Sequence, residues 1–431
     1  MRTRQWCSFL GIALLAVACG AREPKNLAGL TIAGRSALVM GQVQRAVTLL
    51  ERAVALAPEA PGILYDCARA ESLAGDRDRA LQHLTRTVDL GFGDGAAQEP
   101  AFHALAPLPG FQALTRRIAQ QARPIDPSRP AFALPSDLIP EGMAWDAAGR
   151  TFYVGSLLHH KIVRVGPDGV ARDLVPSGAG GLGEVLGMKV DATRRELVAA
   201  SSRLGPHRQG SGLFRFDLAT GRPTGSVILD CSNYLWGVIM GCYGDHLWND
   251  LAFLPDGGVV VTDSEEGTVY LVRDGRAERL LAPHSLPYPN GIATTPDGRR
   301  AFVAHEDGIA VLDLATRRLT PLPHPDGIAM LGIDGLYLDL QPGGGRLIGV
   351  QNDTDPIRLI ALPLDPTLTR VTGLTVLAAR GPNLPLPTTG ALVGGDFYYM
   401  TNTQIGQITD GKLTAPVEKL EPVVVRVMRL P

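Results

Sequence analysis

Three textures of hydrophobic and polar residues succeed one another along the chain. An apolar run, Phe9 to Ala18, follows Arg2 and Arg4. Residues 27–121 are rich in Ala, Leu and Arg, with apolar positions recurring near every 3.6 residues, the spacing that gathers them on one face of a helix. Segment 122–131 carries Pro124, Pro127 and Pro130 and reads as a linker. From there the period falls to two and short β-rich runs dominate up to Val423–Val427. The pattern predicts an α domain followed by an all-β domain over 132–431.

Both domains repeat internally. In the first, Gly41 and Gly75 lie 34 residues apart, as do Ala46 and Ala80, and Leu50 and Leu84. Thirty-four is the period of the tetratricopeptide unit, a pair of antiparallel helices. Gly34, Ala37, Ala46 and Ala53 would let paired helices approach, and Pro58 stops the second helix. The second copy departs at Thr87 and Phe92, and Phe102 to Ile118 reads as a closing helix. So short an array either binds a protein partner or serves as a spacer.

In the second domain one phrase recurs six times, at Glu141-Gly142, Leu186-Gly187, Asn249-Asp250, Asn290-Gly291, Asp334-Gly335 and Thr389-Gly390. An apolar residue follows each, and most copies run on into a turn such as Pro255-Asp256-Gly257 and a second strand. The intervals of 45, 63, 41, 44 and 55 residues suit units of four strands and predict a six-bladed β-propeller. Val423–Val427 is expected to close the ring against a strand near Phe132, which would remove an exposed sheet edge. The fold class is therefore a short tetratricopeptide-like α-solenoid followed by a six-bladed β-propeller.

Innermost strands of a propeller line its axis, so the first residues of the six phrases form one ring: Glu141, Leu186, Asn249, Asn290, Asp334 and Thr389. Two carboxylates in a narrow channel repel unless a cation lies between them. Carboxylate and amide oxygens suit a hard divalent ion, calcium first, with magnesium or manganese as substitutes. The ring has no His or Cys, which leaves zinc only an opportunistic occupant. Net charge is −2, from 43 acidic and 41 basic side chains, so no basic excess points to nucleic acid. Neither a Gly-x-Ser-x-Gly elbow nor a phosphate-binding glycine loop stands out. His246, His305 and Glu306 read as solvated loop residues, and Asp263-Ser264-Glu265-Glu266 as a strand-end loop.

Pro140-Glu141-Gly142-Met143-Ala144-Trp145-Asp146, Trp248-Asn249-Asp250, Pro289-Asn290-Gly291-Ile292-Ala293 and Ile333-Asp334-Gly335-Leu336 together resemble the regucalcin/gluconolactonase group of six-bladed propellers, over residues 132–431. The resemblance implies Glu141, Asn290 and Asp334 as metal ligands, with Asn249 a fourth ligand or a substrate and water contact. It implies a metal-dependent hydrolase of lactones or esters, with Asp334 as general base or nucleophile. Leu247 stands where sugar-lactone enzymes of the group usually place an Arg, which favours a more apolar ester or lactone. The rival reading is a non-catalytic interaction module whose metal only rigidifies the channel.

The N-terminus reads as an export signal, since its apolar run of about ten residues is half the roughly twenty that span a bilayer. Ala16-Val17-Ala18-Cys19-Gly20 resembles a bacterial lipobox, with Ala16 where Leu is usual. Residues 1–18 would then leave as a signal peptide, and a lipidated Cys19 would anchor the protein in the bacterial envelope without spanning the membrane. Cys67 falls in a helical pattern and reads as a small core residue. Cys231 and Cys242 share one loop, where export permits a disulfide; two separate buried thiols are the other reading.

Overall fold

A computed structural model of the chain describes residues 24–202, 210–229, 246–409 and 411–431. The signal segment, Cys19, and the Cys231 and Cys242 pair lie outside the described residues. The chain divides into two compact units, one ending at Ile118 and one beginning at Ala119. Among the described residues, no helix is long and apolar enough to cross a membrane.

The first unit consists of helices α1 (Leu27–Val39), α2 (Val43–Leu56), α3 (Pro61–Ala74) and α4 (Arg77–Asp89), then 3₁₀ turns, with α5 starting at Pro109. Local chemistry sets the boundaries. Asn26 and Asp76 accept backbone N–H groups at the starts of α1 and α4. Pro61 opens α3, and Gly75 closes it with φ of 87°. The small residues do what the repeat requires: a Cβ on Gly34 would lie 2.7 Å from Leu50, and Ala46 and Ala53 are wholly buried. Thr87 and Phe92, where the second copy departs, are buried as well.

In the second unit, six four-stranded antiparallel sheets are the blades of a propeller. Their innermost strands are Pro140–Asp146, Glu184–Asp191, Trp248–Phe253, Ile292–Thr294, Ile333–Gln341 and Gly390–Val393, in blades 1 to 6. Blade 6 takes its outer strand, Arg129–Leu134, from the start of the unit, paired with Val423–Arg429 so that Phe132 faces Val425. Residues 129–131, expected to be the end of the linker 122–131, thus belong to the sheet. Ile125 also bridges to Ala379, so the Pro-rich segment is tied to the rim of blade 5.

Both faces of each blade are covered, which is why second strands read as unbroken apolar runs. Val259 and Val261 pack with Trp248 against Val198 and Leu213 of blade 2, whereas Val260 packs against Ile292 and Val303 of blade 4. Apolar clusters of this kind separate every adjacent pair of blades, including 6 and 1, where Met400 and Val425 meet Val154 and Val163. The Pro-Asp-Gly turns behave as their sequence demands. Gly257 and Gly298 adopt φ of 86° and 66°, and Asp256 and Asp297 accept the N–H two residues on.

Candidate functional site

In four of the six blades the recurring phrase is a β-bulge. In blade 1, Pro140 pairs with Ser156 and Met143 with Val154, so Glu141 and Gly142 together oppose one residue, Gly155. The same two-against-one offset occurs at Leu186-Gly187, Asn249-Asp250 and Asp334-Gly335. A bulge bends its strand and re-aims one side chain. The glycine beside it allows the neighbouring inner strand to come close. A Cβ on Gly142 would lie 1.7 Å from Leu186 O, and one on Gly291 would lie 2.4 Å from Asp334 O. Backbone bonds then link blade to blade: Gly291 N donates to Asp334 O at 2.8 Å, and Gly335 N to Thr388 O at 3.2 Å. Thr389 Oγ1 donates to Glu141 O, closing the ring from blade 6 to blade 1.

Glu141 and Asp334, on separate blades, lie close enough for their charges to interact. Glu141, Asn249 and Asp334 are buried and Asn290 is half-buried. The Asn290 amide lies beside Asp334 and favours its charged form. Asn249 Nδ2 donates to Ser264 Oγ at 3.0 Å, and that hydroxyl donates to Pro289 O at 2.6 Å. This commits the amide nitrogen and leaves the Asn249 oxygen available as a donor atom to a cation. Leu186 belongs to the ring but contributes no oxygen; it packs with Ile139, Leu157 and Leu247. Leu247 is buried in that apolar cluster, so the residue preceding Trp248 presents no charge beside Asn249.

Electrostatics follow from crowding. Burial pushes the Glu141 carboxyl well above its ordinary range, and the charges of Asp334 and Asp250 push the same way. Asp334 rises to about 7, through burial first; the Asn352 and Asn290 amides offset part of this and the Asp250 charge adds to it. One atom in the ring has no partner: Glu141 Oε2 is buried and accepts no hydrogen bond. An orphaned buried carboxylate oxygen costs free energy comparable to a charged hydrogen bond. It lies within reach of the charges of two further buried carboxylates, Asp334 and Asp250. The residues present therefore fit a hard divalent cation.

Three participants were not assigned from sequence. Asn352 Nδ2 donates to Asp334 Oδ2 at 2.6 Å and to Pro387 O at 2.9 Å. Ser264 fixes Asn249, as described. Asp250 fills the column that glycine occupies in five other phrases; its carboxylate accepts Lys189 Nζ at 3.1 Å and Ile292 N–H at 3.3 Å. Lys189 in turn lies 5.5 Å from the centre of the Tyr337 ring. Lys189 and Tyr337 line a cavity of about 260 Å³ with Met143, Trp145 and Phe253.

Two expectations need correction. His246 is not solvated but wholly buried, with Nδ1 2.6 Å from Asp263 Oδ2. The polar run after it is the expected strand-end turn, between Val259–Asp263 and Thr268–Arg273, but its Asp263, Ser264 and Glu266 side chains are buried. Asp263 Oδ1 accepts the N–H groups of Leu247 and Glu266, and Glu266 takes the Tyr270 hydroxyl at 2.5 Å and Arg279 at 2.6 Å. The network clamps the entry to the inner strand that carries Asn249. His246, Asp263 and Glu266 have ligand-type atoms within 4.8 Å of one another, yet each carboxylate oxygen is already engaged. His305 is also more enclosed than expected, and burial drops its ring to about 4.

A tetratricopeptide repeat family model matches residues 37–101. No curated protein sequence matches the chain. Among solved structures, a luciferin-regenerating enzyme is similar with a TM-score of 0.47 at 14% identity, covering 70% of this chain and 96% of its own. A gluconolactonase from Xanthomonas campestris gives 0.45 at 17% identity, covering 72% and 99%. A calcium-binding regucalcin from Agrobacterium tumefaciens gives 0.43 at 18% identity, covering 63% and 85%. The chain thus combines helical repeats of the tetratricopeptide kind with a six-bladed propeller similar to the regucalcin and gluconolactonase structures.

Proposed function

We propose that the propeller is a divalent-metal-dependent hydrolase of an apolar ester or lactone. The observation that carries this reading is the unpartnered, buried Glu141 Oε2, close enough to buried Asp334 for the two charges to interact. Glu141, Asn249, Asn290 and Asp334 would hold the ion; calcium suits the oxygen set best, ahead of magnesium, manganese or zinc. When bound, such an ion supplies Lewis acidity toward a carbonyl oxygen and toward water.

The chain's own residues do the rest. Asp334 accepts a proton from the attacking water, and Asn352 holds its Oδ2 so that one carboxylate edge is fixed. Ser264 holds the Asn249 amide in a single orientation. The apolar cluster of Ile139, Leu157, Leu186 and Leu247 beside the ring excludes water and favours a substrate without hydroxyl groups. Aryl esters and lactones assayed with calcium and then with chelator test the reading. Wild type should turn over only with metal, and Asp334→Ala should lose activity while remaining folded. An active Asp334→Ala would sink the role.

The helical repeats support a second reading, a surface interaction module anchored through Cys19. In that case, chelation would lower the melting temperature of a protein that hydrolyses nothing.

A further inference from the structure

We propose that the helical unit carries a metal site of its own, formed by Cys67, Glu71 and His83 and suited to zinc or another borderline transition-metal ion. Cys67 and Glu71 stand one turn apart on the same face of α3, and His83 comes from α4. Their ligand atoms all lie within 4.8 Å of one another. Tetrahedral zinc with bonds of about 2.0–2.3 Å holds its ligand atoms roughly 3.3–3.7 Å apart. The 2.8 Å contact of His83 Nδ1 with Glu71 Oε2 therefore has to open by about half an ångström. His83 can provide that movement, because it is the partly exposed member and borders a cavity of about 620 Å³.

Charge and hydrogen bonding argue for an occupant. The Glu71 side chain is wholly buried, and its Oε1 accepts no hydrogen bond; Arg79 Nε approaches it only to 3.4 Å. Arg79 is shared, because it also binds Glu51. With His83 neutral, the carboxylates of Glu51 and Glu71 outweigh the single guanidinium by one charge. A divalent ion that displaces the Cys67 proton brings the cluster to zero: three negative groups against Arg79 and the ion. In the exchange, the Cys67 S–H bond breaks and its proton goes to solvent as the sulfur–metal bond forms. His83 binds through the lone pair of one ring nitrogen and keeps its proton on the other.

The donor set decides the metal. Thiolate and imidazole select zinc and its neighbours and offer little to calcium or magnesium. Three protein ligands leave a fourth position for water from the adjoining cavity. The buried group around His246 makes the contrast, because there Arg279, Tyr270 and backbone N–H groups engage three of the four carboxylate oxygens and His246 Nδ1 takes the fourth, so none is orphaned.

Cobalt is the probe. Full-length protein, stripped with chelator and titrated with Co²⁺, should show a thiolate-to-cobalt charge-transfer band and the visible bands of a tetrahedral site. Zn²⁺ should displace both, and Ca²⁺ should not. Cys67→Ser and His83→Gln should each weaken Co²⁺ binding by about a hundredfold or more, since loss of even a supporting residue around a metal costs 10- to 100-fold. Absence of the band in natively helical wild type overturns the proposal. So does a band that persists unchanged in both variants, which would then belong to another cysteine. Should Cys67→Ser fail to fold by circular dichroism, His83→Gln at its partly exposed position decides alone. Ester hydrolysis by the propeller enters none of these outcomes.

Discussion

Glu141→Gln separates a cation site from a merely crowded ring, because its effect should depend on the metal. In chelator, Glu141 is a buried carboxyl beside Asp334, held well above its ordinary range by burial and then by that neighbour. Glutamine has nearly the shape of the neutral acid and removes one partner in the repulsion. Stability in chelator should therefore stay within about 1 kcal/mol of wild type or rise. With calcium at a hundred times the wild-type dissociation constant, wild type gains about 2.7 kcal/mol by mass action. If the substitution weakens binding about a hundredfold, the variant sees calcium only at its own dissociation constant and gains about 0.4 kcal/mol. The assay is thermal or denaturant unfolding followed by tryptophan fluorescence. Trp145 and Trp248 lie in the propeller, and residues 24–118 contain no tryptophan, so the signal omits the helical unit. Equal calcium-dependent gains in both proteins would refute the ligand role of Glu141. A wild type indifferent to calcium, magnesium, manganese and zinc would refute the site.

Gly291→Ala should destabilise the propeller by about 1–3 kcal/mol and weaken metal binding, because the new Cβ would sit 2.4 Å from Asp334 O. Gly225→Ala, which meets nothing within 4 Å, is the control and should change the unfolding midpoint little. The Asp263 carboxylate outweighs burial and raises His246 above its ordinary value. The folded state thus binds the proton more tightly than the unfolded one. The contribution is fully present below about pH 6.5 and is lost as pH rises through the folded-state value. A plot of melting temperature against pH should show that decline in wild type, and His246→Gln should lack it; parallel curves would contradict the assignment.

What the sequence disclosed and what it concealed divide along a physical line. Glu141, Asn249 and Asp334 were legible because each sits in a bulge, and a bulge leaves a local mark; Asn290 stands just before its strand in the same phrase. The extra residue needs a small neighbour wherever the next blade's backbone closes in, so glycine fills the second place of the phrase in five of the six blades. The closing strand was legible because an apolar run at the C-terminus had no other partner. Asn352 left no such mark. It follows the second strand of its blade, and only the register with Ile333 places it against Asp334. His246 and the Asp263–Glu266 run misled for the opposite reason, since their polarity suggests solvent and their partners come from strands Thr268–Arg273 and Arg276–Arg279.

Asp250 shows how far the pattern carries. It breaks the glycine column, and by periodicity alone it counts as a flaw. In the folded ring it reaches forward to the Ile292 N–H of blade 4 while Lys189 of blade 2 neutralises it. One side chain thus joins three blades. The inner strands of blades 4 and 5 make their forward links with a glycine N–H, but blade 3 makes its link with a carboxylate. A charge at that position is tolerable only with Lys189 in the neighbouring inner strand. The departure from glycine and the lysine 61 residues before it are therefore one feature. A substitution of Lys189 alone leaves the Asp250 charge buried without its ion partner.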